Sequence, residues 1–276
     1  MESRAAKMTW SPVAFRRSGK LDAMIDDEVK ALQRDPRPPR EGTENPELEL
    51  RTYGRRRGHG LSTRQRQLLA DVLPRLKLDL SQPCLDAAML VEPPSRETWL
   101  EIGFGGGEHL VWQASRHAEI GLIGCEPFID GVVKVLDAVE RAGLVNVRVH
   151  DDDARQVLRW LPPASIGRVF ILFPDPWPKK RHHKRRLMAP ATLGMLARVM
   201  RPGAELRFAS DIAGYVRSAL LAVAEEGSFE WPASTADDWR IRPDDWPQTR
   251  YEAKALAAGR RCSYFRFQRR PYGAAT

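Results

Sequence analysis

The chain has 276 residues, 44 Lys or Arg against 36 Asp or Glu, and a formal net charge of +8. That length accommodates one large α/β domain with an extension, and no apolar stretch approaches the ~18 residues of a membrane span. The amino terminus lacks an apolar signal core, and the scattered Cys84, Cys125 and Cys262 form no C-x-x-C pair, which excludes zinc and redox motifs and fits a reducing cytoplasm.

Taken in chain order, residues 1–45 read as a flexible basic extension. They are polar, contain one short helix candidate at 21–33, and run into a Pro-rich linker over 35–46. A single domain is expected over 46–276. It opens on a first basic cluster, Arg51, Arg55, Arg56, Arg57, Arg64 and Arg66. From residue 98 the pattern alternates. Strands are expected at 98–103, 120–125, 145–149, 169–173 and 205–209, with helices at 108–116, 129–142, 155–161, 190–200 and 212–226. Strands that read as continuous apolar runs are buried on both faces, so the expected fold is α/β, a doubly wound, mostly parallel Rossmann-like sheet. Residues 263–269 alternate apolar and polar, as a late, less buried antiparallel strand would.

The expected strand ends carry the chemistry. After the first strand, Gly103-Phe-Gly105-Gly-Gly107 permits a tight turn and close backbone approach to a ligand. A dinucleotide fingerprint would place glycine where Glu108 stands, and an acid there adds nothing to a phosphate site. The loop therefore favours a nucleoside without pyrophosphate, with NAD as the lesser alternative. Glu126 ends the second strand about twenty residues on, where a carboxylate accepts hydrogen bonds from ribose hydroxyls. Asp151, Asp152 and Asp153 follow the third strand, and one of them suits an adenine amino group. Glu101, inside the first strand, suits an ammonium. These acids at successive strand ends, with the glycines, point to S-adenosylmethionine and to a class I methyltransferase fold.

After the fourth strand comes Phe173-Pro-Asp-Pro-Trp177, with Asp175 locked between two prolines. The run Lys179, Lys180, Arg181, His182, His183, Lys184, Arg185 and Arg186 follows at once. Clustered cations attract polyanions by releasing condensed counterions. A solvated face or a targeting tag is the plainer reading of such a run, but its attachment to a strand end and a Pro-locked acid favours RNA. Trp177 has two equal readings, stacking on a base or packing. Arg260, Arg261, Arg266, Arg269 and Arg270 form a third basic group.

These pieces, together with Ala209-Ser-Asp211 and Thr249-Arg-Tyr-Glu252, resemble the bacterial tRNA (guanine-N7-)-methyltransferases over residues 51–269. The resemblance implies that Glu101, Glu126 and Asp153 bind S-adenosylmethionine beside Gly103 and Gly105. Three consecutive aspartates leave Asp152 as the alternative to Asp153. It implies that Asp175 is the catalytic acidic residue, that Lys179 and Asp211 contact the substrate, and that Arg181, His182, His183, Lys184, Arg185 and Arg186 touch tRNA. It places Thr249, Arg250, Tyr251 and Glu252 at the substrate as well. Structural roles compete at three places: Thr249 and Glu252 as a capping box, Asp211 as a cap on the helix at 212, and Tyr215 as core.

The implied product is N7-methylguanine in the tRNA variable loop, with no metal, and with a cytoplasmic monomer or homodimer needing no protein partner. Guanine N7 is an unprotonated acceptor, so no general base is needed. A carboxylate near the ring, Asp175 or Asp211, would stabilise the cationic purine. An exocyclic-amine methyltransferase and a non-catalytic RNA-binding protein are the alternatives.

Overall fold

The computed structural model describes Arg56, Gly58 and residues 60–271. The extension expected over 1–45, its helix and its linker lie outside the described residues. Helix α1 (Thr63–Asp71) begins on a capping box, in which Ser62 Oγ accepts from Gln65 N and Gln65 Oε1 accepts from Ser62 N. A short α2 (Leu73–Leu76) follows, with Pro74 in its first turn.

The sheet then builds in alternation: β1 (Glu97–Ile102), α3 (Glu108–Arg116), β2 (Ile120–Cys125), α4 (Ile129–Ala142), β3 (Val147–His150), α5 (Ala154–Trp160) and β4 (Ile166–Leu172). Next come α6 (Pro190–Val199), β5 (Met200–Ser210), α7 (Ala213–Glu226), a two-residue β6 (Phe229–Glu230), α8 (Asp237–Arg240), α9 (Arg250–Ala257) and β7 (Ser263–Arg269). Strand order is β3-β2-β1-β4-β5-β7-β6. The first five strands pair in parallel and β7 pairs antiparallel with β5 and β6. The expected fold class is thus observed.

Each face of the sheet is covered. Leu100, Ile102, Val169 and Ile171 pack with Val157 and Leu158 of α5, Leu193 and Leu196 of α6 and Tyr215 of α7. Trp99, Leu122 and Phe170 face the other way, with Leu68 of α1, Leu110 of α3 and Val132 and Leu136 of α4. Strand order reverses beside β1, between β2 and β4, so the carboxyl ends of these strands open on one crevice. Among the described residues no helix is long and apolar enough to cross a membrane.

Several bounds differ from expectation by a few residues, and three differences have a clear physical reason. β3 starts at Val147, not 145, because the Asn146 side chain is tied to three carbonyls, of Ala114, His117 and Ile120, and Val145 is left exposed. β5 starts at Met200, not 205. Pro202 and Gly203 look like a turn in sequence, yet Met200 already pairs with Ile166 across a register shift. The helix at 212 is not capped by Asp211: its N-cap is Ile212, with no side-chain cap, and Asp211 pairs instead with Arg260 at 2.6 Å.

Candidate active site

The glycine loop after β1 is a left-handed zigzag, with φ of +77° at Gly103, +55° at Gly105 and +79° at Gly107. A side chain would be strained at each, and at Gly105 and Gly107 space is also closed. A Cβ at Gly107 would lie 2.1 Å from Val135 Cγ2, and one at Gly105 2.7 Å from the Tyr251 ring. Glu126 fixes the loop from the end of β2. Its carboxylate accepts from Gly105 N at 2.8 Å and from Phe128 N at 2.9 Å. Burial raises this carboxyl above the ordinary glutamate value, against the pull of those two N–H groups.

At the end of β3, Asp152 and Asp153 both line the crevice. Asp153 caps α5 through Arg155 N, and the Arg155 guanidinium grips it at 2.5 Å. Asp152 accepts from Asp153 N and pairs with Arg56. Asp151 pairs with Lys77. Glu101 does not line the crevice. It is 2% exposed and its carboxylate accepts from His109 Nδ1 at 2.8 Å.

Opposite, the loop after β4 is held in an unusual backbone. Phe173 and Trp177 are non-glycine residues at φ +50° and +43°, flanking Pro174-Asp175-Pro176. Such residues persist only where their surroundings over-determine them, and Arg186 is the main restraint here. Its guanidinium donates to Pro176 O at 2.9 Å, Gly214 O at 3.1 Å and Ser218 Oγ at 2.6 Å, and lies over the buried Tyr215 ring. At 6% exposure Arg186 belongs to the framework, unlike its exposed neighbours His183 and Lys184. Asp175 stands at the mouth of the crevice with no hydrogen-bond or ionic partner among the described residues. The surrounding walls desolvate it and raise its carboxyl above the ordinary aspartate value.

The basic run is a 3-10 helix, Lys180–Arg185, with Lys179 at its start. Lys179, Arg181, His183 and Lys184 are exposed. Arg185 lies over the Trp177 ring at 4.9 Å, and His182 meets the same ring edge-on at 5.9 Å. Desolvation, then the charges of Arg185, Arg181 and Lys179, lower the His182 imidazole below its usual value.

The late motif is half structural. Thr249 caps α9 through Glu252 N, but Glu252 does not complete a capping box. It is buried, accepts from Tyr264 Oη at 2.7 Å and pairs with Arg242 at 3.0 Å. Arg250 reaches toward Glu108 at 3.7 Å and lies over Tyr251, which covers Gly105. Tyr215 is core, as one of its two readings had it.

The resulting crevice has a volume of about 420 Å³, within the ~300–1,000 Å³ of small-molecule sites. It brings together Gly103, Gly105, Glu126, Asp152, Asp153, Asp175, Trp177, Lys184, Arg185, Arg186 and Tyr251. Glu101, Lys179, Arg181, His182, His183, Asp211, Thr249, Arg250 and Glu252 stand outside its lining. Acids on one wall and cations at the rim suit a cationic nucleoside within and a polyanion across the mouth.

Comparison with known proteins decides the family. A family model described as "Putative methyltransferase" matches residues 95–264. The tRNA (guanine-N(7)-)-methyltransferase of Rhodospirillum rubrum is 49% identical over 235 residues, covering 84% of this chain and 92% of that protein. The chain belongs to the tRNA (guanine-N(7)-)-methyltransferase family. Its counterparts from Chelativorans sp. and Brucella melitensis are 49% and 48% identical, each covering 79% of this chain and 94% of the relative.

Several residues of this tRNA (guanine-N(7)-)-methyltransferase site escaped sequence reasoning. The Arg155 clamp on Asp153 had a local signal, an arginine two positions after the acid. The partners of Arg186 on α7, and a buried chain formed by Glu101, His109 and Gln113, had none. They are made by residues distant in sequence or by helical neighbours that read as core.

Proposed function

We propose that this enzyme transfers the methyl group of S-adenosylmethionine to N7 of a guanine in the variable loop of tRNA. The observation that carries the reading is the placement of Asp175, an unpartnered carboxylate on a strained loop facing the Glu126 wall of one crevice. The residues fit the donor. The glycine loop leaves room for backbone approach, and Glu126 retains lone pairs for ribose hydroxyls beyond its two backbone bonds. Asp152 and Asp153 are the acids for the adenine amino group. When bound, S-adenosylmethionine supplies a methyl group already activated by a sulfonium.

The protein's task is then positioning and charge. Guanine N7 arrives with a free lone pair, so no residue need remove a proton. Asp175 accepts hydrogen bonds from guanine N–H groups and stabilises the positive charge that develops on the purine. Asp211 is the weaker candidate for that role, because its carboxylate is paired with Arg260. Lys179, Lys184 and Arg185 lie around the mouth or on the adjoining helix and suit phosphates, which position the substrate without reading sequence. Alkylation by a sulfonium requires no metal. We assign the enzyme to the cytoplasm, as a monomer or homodimer, where its free thiols stay reduced.

Asp175→Ala tests the assignment. Turnover should fall at least ~100-fold, the scale of a lost electrostatic contact to the transition state, while cofactor affinity changes far less. Near-normal turnover would remove Asp175 from the mechanism.

A further inference from the structure

Glu101, His109 and Gln113 form a buried polar chain. His109 and Gln113 are one turn apart on α3, both 1% exposed. His109 Nδ1 bonds Glu101 Oε2 at 2.8 Å; in the neutral imidazole with its hydrogen on Nδ1, Nε2 is an acceptor. Gln113 Nε2 stands 3.1 Å from that acceptor and 3.0 Å from the carbonyl oxygen of Asp245. Both amide hydrogens of Gln113 are thereby used, one toward the glycine-loop side of the molecule and one toward the late segment. The reverse amide orientation would set oxygen against two acceptors. The adopted one leaves Gln113 Oε1 buried without a partner among the described residues, a cost in free energy that the two donations offset.

The recipient is not a random loop. Asp245 lies four residues before Thr249, at the root of the segment that carries Arg250 and Tyr251. Its carboxylate is held by Arg207 Nη2 at 2.7 Å, and Arg207 is itself buried between Phe170 and Trp246. Farther along the same segment Tyr251 covers Gly105. The segment thus meets the cofactor side of the site twice, at Gly105 through Tyr251 and at α3 through Gln113.

We infer that Gln113 is a positioning residue that fixes the 245–252 segment against the helix following the glycine loop, so that substrate contacts on this segment are set in register with the methyl donor. The inference rests on the functional reading above. Its mechanism is mechanical, since Gln113 touches neither substrate nor cofactor and acts through the Asp245 carbonyl.

Gln113→Leu keeps the volume and removes both donations. Two measurements read the effect. Amide hydrogen exchange over 245–252 in the free protein should accelerate about tenfold, the change expected for one lost buried hydrogen bond. The KM for tRNA should rise by a similar factor, with kcat within about threefold and S-adenosylmethionine affinity within about twofold, because only binding through the segment is disturbed. Asp245→Ala keeps the carbonyl but frees the segment from Arg207, and should reproduce the split. Unchanged exchange and KM in a folded Gln113→Leu protein would overturn the inference. So would an equal loss of cofactor affinity, which would make Gln113 a general framework residue. If the wild-type protein failed to methylate tRNA, the functional reading would fall, while the exchange rates would still report whether Gln113 holds the segment.

Discussion

Arg185 and Arg186 are neighbours in sequence and opposites in role. Arg185 rests on the Trp177 ring at the crevice, whereas Arg186 is drawn inward onto Pro176, Gly214 and Ser218. Sequence reasoning grouped them in one basic tail, because the partners of Arg186 are 28 and 32 positions away on α7. Arg186→Ala removes the donor to two part-buried carbonyls and the Ser218 hydroxyl, which costs ~1–3 kcal/mol, and releases the loop that holds Asp175. The expected result is a lower melting temperature and a lower kcat, with the salt dependence of tRNA binding unchanged. Arg185→Ala should do the reverse: weaker tRNA binding, and a slope of log affinity against log salt shallower by ~0.7–0.9 if one phosphate contact is lost. A binding titration of each variant across a salt series separates the two.

Glu126 adds a pH prediction at the same scale. Burial raises its carboxyl above the ordinary glutamate value, so the carboxylate is lost at a higher pH than for a free glutamate. The ionised form is the one that accepts from ribose hydroxyls. Cofactor affinity should therefore be constant at neutral pH and decline, as pH is lowered, before the ordinary glutamate range is reached. Glu126→Gln should weaken S-adenosylmethionine at neutral pH and flatten that decline. Calorimetry at several pH values checks both, and a wild-type decline that begins only below the ordinary glutamate range would contradict the assignment.

Among the elements, α4 and the glycine loop make a close backbone-to-backbone approach. A Cβ on Gly131 would lie 2.1 Å from Gly105 O, a backbone atom that has no rotamer to escape into. Gly131→Ala replaces glycine inside a helix, which by propensity alone favours the fold by about 1 kcal/mol. It also forces the glycine loop away from Glu126. S-adenosylmethionine affinity should drop sharply while the melting temperature changes little in comparison. Equal cofactor affinity would show that the loop can move without harm. The elements themselves were largely legible. β2, α3, α4 and β7 have the expected bounds because buried parallel strands read as unbroken apolar runs and helices as amphipathic ones. The start of β5 was not, because Pro202 and Gly203 carry turn chemistry inside a strand that pairs at its edges. The Thr249 capping box was half right: local spacing predicts the cap, but Tyr264 and Arg242 compete for Glu252.

Across the whole molecule, the parallel order β3-β2-β1-β4-β5 sets five strand ends at one rim, and the late antiparallel strand brings a further segment over it. Topology thus gathers Gly105, Glu126, Asp153, Asp175 and Tyr251 from across about 150 residues of sequence into one crevice. Glu126 and Asp153 lie on one wall, Asp175 stands at the mouth and the cations of 179–185 lie at the rim or beyond it, which suits a cationic methyl donor below and an RNA backbone above. What the sequence left open was which basic side chains face out and which acids are already paired, since both depend on tertiary partners. The central claim is methylation at guanine N7 of tRNA, and one measurement addresses it most directly. Unmodified tRNA is incubated with the pure protein and S-adenosylmethionine, treated with borohydride and aniline, and mapped for cleavage. Scission at a single variable-loop guanine, dependent on the methyl donor and lost with Asp175→Ala, is the predicted result. A tRNA that gains one methyl mass yet resists scission would contradict the account, because the methyl group would then sit on another atom.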